Sequence, residues 1–168
     1  MFALFLSKNK GSDIMKQKVY LTNIEQIEQW LYDHNVKLIE DNSIMNYDCF
    51  DKAFIVKYKD AACLVYAPGA ILNNVEKRCV LLHEIYHLIT KNGFYYLSDS
   101  PQKRKMIEGK VRNRMVKDLV PIEKLMYFID HKYTQYEMAK ELDVTEDIIV
   151  EAYQIYYARL LQLLEGAF

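Results

Sequence analysis

The strongest constraint on the fold is a polar triplet inside an apolar segment, Val80-Leu-Leu-His83-Glu84-Ile-Tyr-His87-Leu-Ile-Thr90. The apolar spacing around it predicts a helix from about Asn74 to Lys91, ended by the turn-forming pair Asn92-Gly93. Residues four apart lie on one face of a helix, so His83 and His87 lie one turn apart on the same side. Because the flanks are apolar we expect this helix to be buried, and buried imidazoles beside a carboxylate need a partner such as a metal ion.

The pattern H-E-x-x-H is typical of zinc hydrolases. Two imidazoles at this spacing can reach one tetrahedral zinc, and Glu84, about 100° around the helix, lies beside the metal. Zinc lowers the pKa of its water to about 7, and a neighbouring carboxylate can take the proton as that water attacks a carbonyl. We therefore predict that His83 and His87 bind zinc and that Glu84 is the general base. The simpler alternative, two surface histidines beside a glutamate, agrees poorly with the apolar flanks.

A catalytic zinc needs a third protein ligand and leaves its fourth position to water. Cys79 and His87 are separated by about 12 Å of helix axis, so one metal cannot bind both and Cys79 is predicted to be a core residue. Glu108 follows His87 by 21 residues, which allows a loop and a returning helix. The alternative for Glu108 is a solvated acid among lysines, and spacing alone does not decide between the two. The candidates for the third ligand are Glu108, Asp99, His131 and Cys79.

The remaining pattern predicts an α+β fold. The 168 residues are 51% hydrophobic with only 5 Gly, a composition that can bury a core and that excludes an intrinsically disordered protein. Two β-rich runs, 54–58 and 62–66, predict a hairpin, and 36–39 predicts a third short strand. Capping boxes are predicted at Thr22 with Glu25 and at Thr134 with Glu137. Besides the helix of the triplet, the sequence predicts helices at about 23–34, 102–118, 121–130 and 135–142, and a last one from 145 onward.

Downstream of the triplet the chain continues with Gly93-Phe94-Tyr95, then Glu108-x-x-Val111-x-x-Arg114, and then Leu119-Val120-Pro121. Together with His83-Glu-Ile-Tyr-His87, this ordered set resembles the ImmA/IrrE metallopeptidases, above all the short forms carried by phages and integrative elements of Gram-positive bacteria. Two later segments, Tyr136-Glu-Met-Ala139 and Asp143-Val-Thr-Glu146, are also similar to that family. The resemblance covers about 18–156. The zinc motif alone is shared by many zincins, and the ordered set is more specific.

The resemblance implies a zincin-like fold, with a small antiparallel sheet packed on the active-site helix and a C-terminal helical bundle. It implies Glu108 as the third zinc ligand. It further implies an endopeptidase whose protein substrate is a helix-turn-helix repressor, cleaved to derepress a phage or mobile element. We expect a metallopeptidase domain at 15–125 and a helical subdomain at 126–168. Residues 1–14 are expected to be a disordered or non-native extension, with Met15 as the biological start.

Three positions depart from the family pattern. Tyr86 stands where a small residue is usual, Val111 where alanine is usual and Arg114 where an aromatic residue is common. These departures motivate a second hypothesis, in which the protein keeps the fold but inactivates a repressor by binding it without proteolysis. A third hypothesis is an interaction domain that a closed zinc site merely stabilises.

Two further features bear on substrate binding. An edge strand beside the zinc helix would align a peptide through main-chain hydrogen bonds, and 62–66 is the candidate, although an ordinary internal strand is an equally good interpretation. Tyr95 and Tyr96 follow the helix, where a phenol could stabilise an oxyanion.

Charge argues against a nucleic-acid or membrane partner. The chain carries 22 basic and 23 acidic residues, and it has no apolar run of 18 residues. The basic helix 102–117 is expected to be a solvated face or to pair with the acidic end of the chain. The segment 135–153 has helix–turn–helix spacing, but Glu146 and Asp147 begin its second helix and would repel phosphates. Three cysteines without a C-x-x-C pair indicate reduced thiols and a cytoplasmic protein.

Overall fold

The computed structural model describes residues 21–47, 51–58, 61–90 and 99–165. The α+β class is confirmed: within those ranges six helices accompany a three-stranded sheet. The expected extension at 1–14 lies outside the described residues. In chain order the elements are α1 (Ile24–Asp33), β1 (Val36–Glu40), β2 (Ala53–Tyr58), β3 (Ala61–Tyr66), α2 (Asn74–Ile89), α3 (Pro101–Leu119), α4 (Ile122–Asp130), α5 (Gln135–Leu142) and α6 (Glu146–Glu165).

The sheet is mixed, so the prediction of an antiparallel sheet is wrong for one of its two pairings. β2 and β3 form the expected hairpin, but β1 runs parallel to β3, with Leu38 opposite Leu64. The strand order is β1-β3-β2, and Leu64 in the central strand is fully buried. In the hairpin β2 pairs with one edge of β3, and β1 pairs with the other edge. The long connection through β2 gives the chain enough length to return in the parallel direction.

The start of α1 also differs from the prediction. Asn23, not Thr22, is the N-cap, and its side chain accepts a hydrogen bond from the backbone N–H of Gln26 at 2.9 Å. The Gln26 side chain in turn accepts from the backbone N–H of Thr22 at 2.7 Å. Asparagine ranks slightly above threonine as an N-cap, which accounts for the shift by one residue.

Helix α2 lies at the centre of the molecule. It packs against α1, β2, β3 and α3, and most of its residues from Arg78 to Ile89 are buried. Asn73 caps its N-terminus by accepting from the backbone N–H of Glu76 at 2.9 Å. The helix ends at Ile89, two residues before the predicted end. The predicted turn at Asn92-Gly93 lies outside the described residues.

The C-terminal helices continue the same core. Buried residues on both sides of the predicted boundary at 125, such as Leu82 on α2 and Ile149 on α6, belong to one hydrophobic cluster. The predicted capping box at Thr134 and Glu137 is confirmed. Asp143 ends α5 in the left-handed conformation, with φ of 52°. None of the helices in the described ranges is long and apolar enough to cross a membrane.

Candidate metal centre

Three predicted ligands converge where α2 crosses α3. The Nε2 atoms of His83 and His87 lie 3.3 Å apart. Glu108 on α3 places Oε2 at 3.1 Å from His83 Nε2 and Oε1 at 3.3 Å from His87 Nε2. The helical spacing of the histidines places both of them on one face of α2. The packing of α3 on α2 brings in the carboxylate.

These separations fit a tetrahedral zinc. Ligand atoms about 2.0–2.1 Å from such an ion lie about 3.3–3.4 Å from one another. The two Nε2 atoms meet this separation, and each has its own Glu108 oxygen at a similar distance, Oε2 for His83 and Oε1 for His87. Two imidazole nitrogens with one carboxylate form a donor set that catalytic zinc sites use. The side chains of His83 and Glu108 are 19% and 36% exposed, so this side of the cluster is open to solvent. The residues present therefore fit the metal that the motif predicts.

Nδ1 of His83 is a buried nitrogen that has no hydrogen-bond partner among the described residues. A metal-binding histidine ordinarily donates from its second ring nitrogen to an acceptor that fixes the tautomer. With Nε2 turned toward the cluster, Nδ1 is the nitrogen that would carry the proton in a metal-bound His83.

Glu84 lies beside the cluster and is buried, at 7% exposure. One possible ligand atom from each of His83, Glu84 and His87 lies within 4.8 Å of the other two. Burial raises the pKa of the Glu84 carboxyl, and the neighbouring carboxylates Glu108 and Asp51 raise it further, while the two histidines oppose that rise. A carboxylate with a raised pKa next to a metal site has the properties of a general base.

The environment of Glu108 lowers the pKa of its carboxyl, the opposite of the shift at Glu84. Burial by itself would raise its pKa, but the contacts with His83 and His87 outweigh burial and hold the pKa well below its usual range. Glu108 is therefore ionised at neutral pH, as an anionic metal ligand must be. Two glutamates in one site thus have pKa values shifted in opposite directions, a pattern that separates an anionic ligand from a proton carrier.

The other candidates for the third ligand have different partners. Asp99 accepts a hydrogen bond from Lys103 Nζ at 2.8 Å, just before α3. His131 is exposed at the end of α4, where its Nδ1 lies 2.8 Å from the carbonyl of Tyr127. Cys79 is a buried core residue, as expected, and burial raises the pKa of its thiol. Glu108 is the candidate that the fold brings to the histidines.

The three departures from the family pattern all have structural roles. Tyr86 is fully buried, and its hydroxyl donates to Asp118 Oδ2 on α3 at 2.8 Å. Val111 is fully buried in the core. Arg114 donates from its guanidinium to the carbonyl of Ile89 at 2.9 Å and so satisfies one of the last carbonyls of α2. Each of these side chains thus has a defined packing or capping role.

The strand expected to align a substrate is not an edge strand. β3 pairs with β1 on one side and with β2 on the other, so its main-chain groups are already used. Of the two interpretations left open for 62–66, the structure shows the internal strand, because β1 joins the hairpin. β2 is the edge strand that packs against α2 in the described sheet. Tyr95 and Tyr96 lie outside the described residues.

The basic helix α3 pairs in part with the acidic end of the chain, as anticipated. Arg112 forms a bidentate ion pair with Glu151 on α6, with distances of 2.6 and 2.8 Å. On the helix–turn–helix segment, Glu146 and Asp147 are exposed. The absence of nucleic-acid binding stays a prediction.

Sequence reasoning missed Arg78 and Asp51. Arg78 is a buried arginine on α2 that contacts the α5–α6 turn, and Asp51 is close enough to Glu84 to influence its pKa. Arg78 could have been noticed in the sequence, because a charged residue directly precedes Cys79 inside a helix that was expected to be buried. The position of Asp51 depends on the sheet and left no local signal.

No family model matches the chain, and no curated protein or solved structure matches it either.

Proposed function

We propose that this chain is a zinc-dependent endopeptidase of the ImmA/IrrE kind. The observation that carries the proposal is the convergence of His83, His87 and Glu108 at separations that suit one tetrahedral zinc, with Glu84 buried beside them. The open side of this cluster supports a catalytic site over the closed structural site of the third hypothesis.

In this proposal His83, His87 and Glu108 hold the metal. When bound, zinc supplies Lewis-acid activation of a water and of the scissile carbonyl. Glu84 accepts a proton from the attacking water and later donates it to the leaving nitrogen of the cleaved bond. Burial assists Glu84 in the first step, because a raised pKa makes its carboxylate a better proton acceptor.

The substrate we propose is a protein segment bound in extended form. β2 can add a further strand on its outer edge, since main-chain pairing accepts many side chains. The family resemblance suggests a helix-turn-helix repressor whose cleavage derepresses a phage or mobile element, in the cytoplasm.

The metal is tested first. Purified protein should contain about one zinc per chain, and Glu108→Ala should lose or weaken it. Glu141→Ala is the matched control, because Glu141 is an exposed glutamate on α5. A wild-type protein that takes up no zinc, even after reconstitution, would remove the basis of the proposal.

Cleavage is tested with a repressor encoded beside this gene. Glu84→Gln should keep its zinc and leave the repressor intact, while the wild type cuts it. The hypothesis of binding without proteolysis predicts instead that Glu84→Gln still relieves repression in cells. Cleavage by Glu84→Gln would refute the assigned general base.

A further inference from the structure

Two arginines connect the helices that carry the metal ligands to one C-terminal unit. We call α5, α6 and their connection at 143–145 the C-terminal hairpin. Arg78 lies on α2, five residues before His83, and Arg112 lies on α3, four residues after Glu108. Each arginine forms its ion pair with an acidic residue of the C-terminal hairpin.

Arg78 fastens α2 to the turn of the hairpin. Its side chain is 5% exposed, and its Nε donates to Asp143 Oδ2 at 2.9 Å. The remaining nitrogens donate to the carbonyls of Leu142 at 3.2 Å, of Leu21 at 3.1 Å and of Asp143. A rigid guanidinium thereby holds the C-terminal end of α5 against the helix that carries both histidines.

Arg112 fastens α3 to α6. Its bidentate pair with Glu151 is partly buried, and the geometry fixes the direction of the guanidinium plane. Arg112 lies one helical turn beyond Glu108 on the same face of α3, about 6 Å along the axis. A change in the rotation of α3 that moves Arg112 would therefore also move the Glu108 carboxylate.

Both arginines lie near Cys79 on α2. Both Arg78 and Arg112 influence the pKa of this buried thiol, which also interacts with the backbone of Thr145 in the hairpin turn. One junction thus joins α2, α3 and the hairpin, one turn of α2 away from His83.

Apolar packing does not replace these contacts. Ile107 and Val111 are buried on α3, but apolar contacts are non-directional and define the rotation of a helix less sharply than a bidentate ion pair does. A metal site needs ligand positions within about 0.5 Å of the productive geometry. A bidentate ion pair supplies the direction that apolar packing does not.

We propose that Arg112 and Glu151 are positioning residues for the metal centre, and that the C-terminal hairpin acts through them to set the place of Glu108 opposite the two histidines. This inference rests on the proposed zinc function. It makes the hairpin a structural part of the metal site, although no residue of the hairpin contacts a ligand among the described contacts.

The test measures zinc affinity in the full-length chain. Arg112→Gln and Glu151→Gln should each weaken zinc binding about tenfold, the lower end of what changes around metal ligands cost. The double variant should lose no more than either single variant, because both remove the same contact. Arg112→Lys keeps the charge without the bidentate geometry, so its zinc affinity should lie between those of the wild type and Arg112→Gln. Lys103→Gln removes an exposed ion pair on the same helix and should bind zinc like the wild type.

Cobalt substitution separates positioning from general stability. The visible absorption of bound Co²⁺ reports its ligand geometry, so it should change in Arg112→Gln and Glu151→Gln but not in Lys103→Gln. Circular dichroism of the metal-free variants establishes that they are folded. Wild-type affinity and spectra in the folded variants, or additive losses in the double variant, would overturn the inference. So would loss of fold in all of them, Arg112→Lys included. Wild-type protein that binds no zinc would overturn the proposed function itself.

Discussion

Arg78→Ala should be the most destabilising single change at the junction. The guanidinium donates to three backbone carbonyls, those of Leu21, Leu142 and Asp143, and to the Asp143 carboxylate. A hydrogen bond with one charged partner contributes about 1.5–3 kcal/mol. Three carbonyl contacts at the lower end of that range give a loss of about 4.5 kcal/mol. That is a large share of the roughly 5–15 kcal/mol that stabilise a typical domain.

The ion pair itself should contribute little. The side chain of Asp143 is 54% exposed, so its carboxylate recovers hydration when its partner is lost. Asp143→Asn should therefore cost less than about 1 kcal/mol. Asparagine also tolerates the left-handed conformation at φ of 52°, so the substitution adds no backbone strain.

Urea unfolding of the metal-free proteins, followed by circular dichroism, measures both variants. Arg78→Ala should move the midpoint far down at an unchanged slope, and Asp143→Asn should hardly move it. Equal losses in the two variants would mean that charge pairing, rather than the binding of the carbonyls, stabilises the junction. A loss below about 1 kcal/mol for Arg78→Ala would refute the reasoning altogether.

Three further changes can be measured in the same metal-free assay. Burial, reinforced by Glu108 and Asp51, raises the pKa of Glu84 in the folded state, so wild-type stability should fall as pH rises above the ordinary value of 4.5. Glu84→Gln should lack that fall, and parallel pH profiles would contradict the prediction. Tyr86→Phe removes the hydrogen bond to Asp118 and should cost about 1–2 kcal/mol, with wild-type zinc content as its control. Gly109→Ala should stabilise α3 by about 0.5–1 kcal/mol, because a methyl group there meets nothing within 4 Å; destabilisation would indicate a hidden contact.

Local patterns predicted the helices well because their causes are local. Capping at Thr134 with Glu137 and the apolar spacing around His83 reproduce α5 and the start of α2. The error at the start of α1 is also local, because two neighbouring residues compete for the N-cap position and Asn23, rather than Thr22, occupies it. Such errors shift an element by a residue and leave the site unchanged.

The strand pairing in the sheet could be predicted only in part from local sequence pattern. The segments 54–58 and 62–66 predict a hairpin because a short turn joins them. The parallel pairing of β1 with β3, by contrast, joins residues 26 apart along the chain. That pairing turns β3 into the central strand and moves the free edge beside α2 to β2. The internal-strand interpretation of 62–66 therefore holds over the edge-strand one, and both strands of the hairpin were correctly located.

The metal centre depends both on local sequence pattern and on packing between elements that are distant along the chain. His83 and His87 lie on one face of α2 because a helix repeats every 3.6 residues, so their neighbouring positions follow from the sequence alone. Glu108 meets them only because α3 packs on α2, with Ile107 and Val111 buried in the core. Spacing left Glu108 undecided between a ligand and a solvated acid, since nothing in the sequence fixes how α3 crosses α2. The contact of Arg78 with Asp143 was missed because it joins residues 65 apart along the chain. The loss of Arg112 or Glu151 is the sharpest test of how this fold holds its third ligand in place.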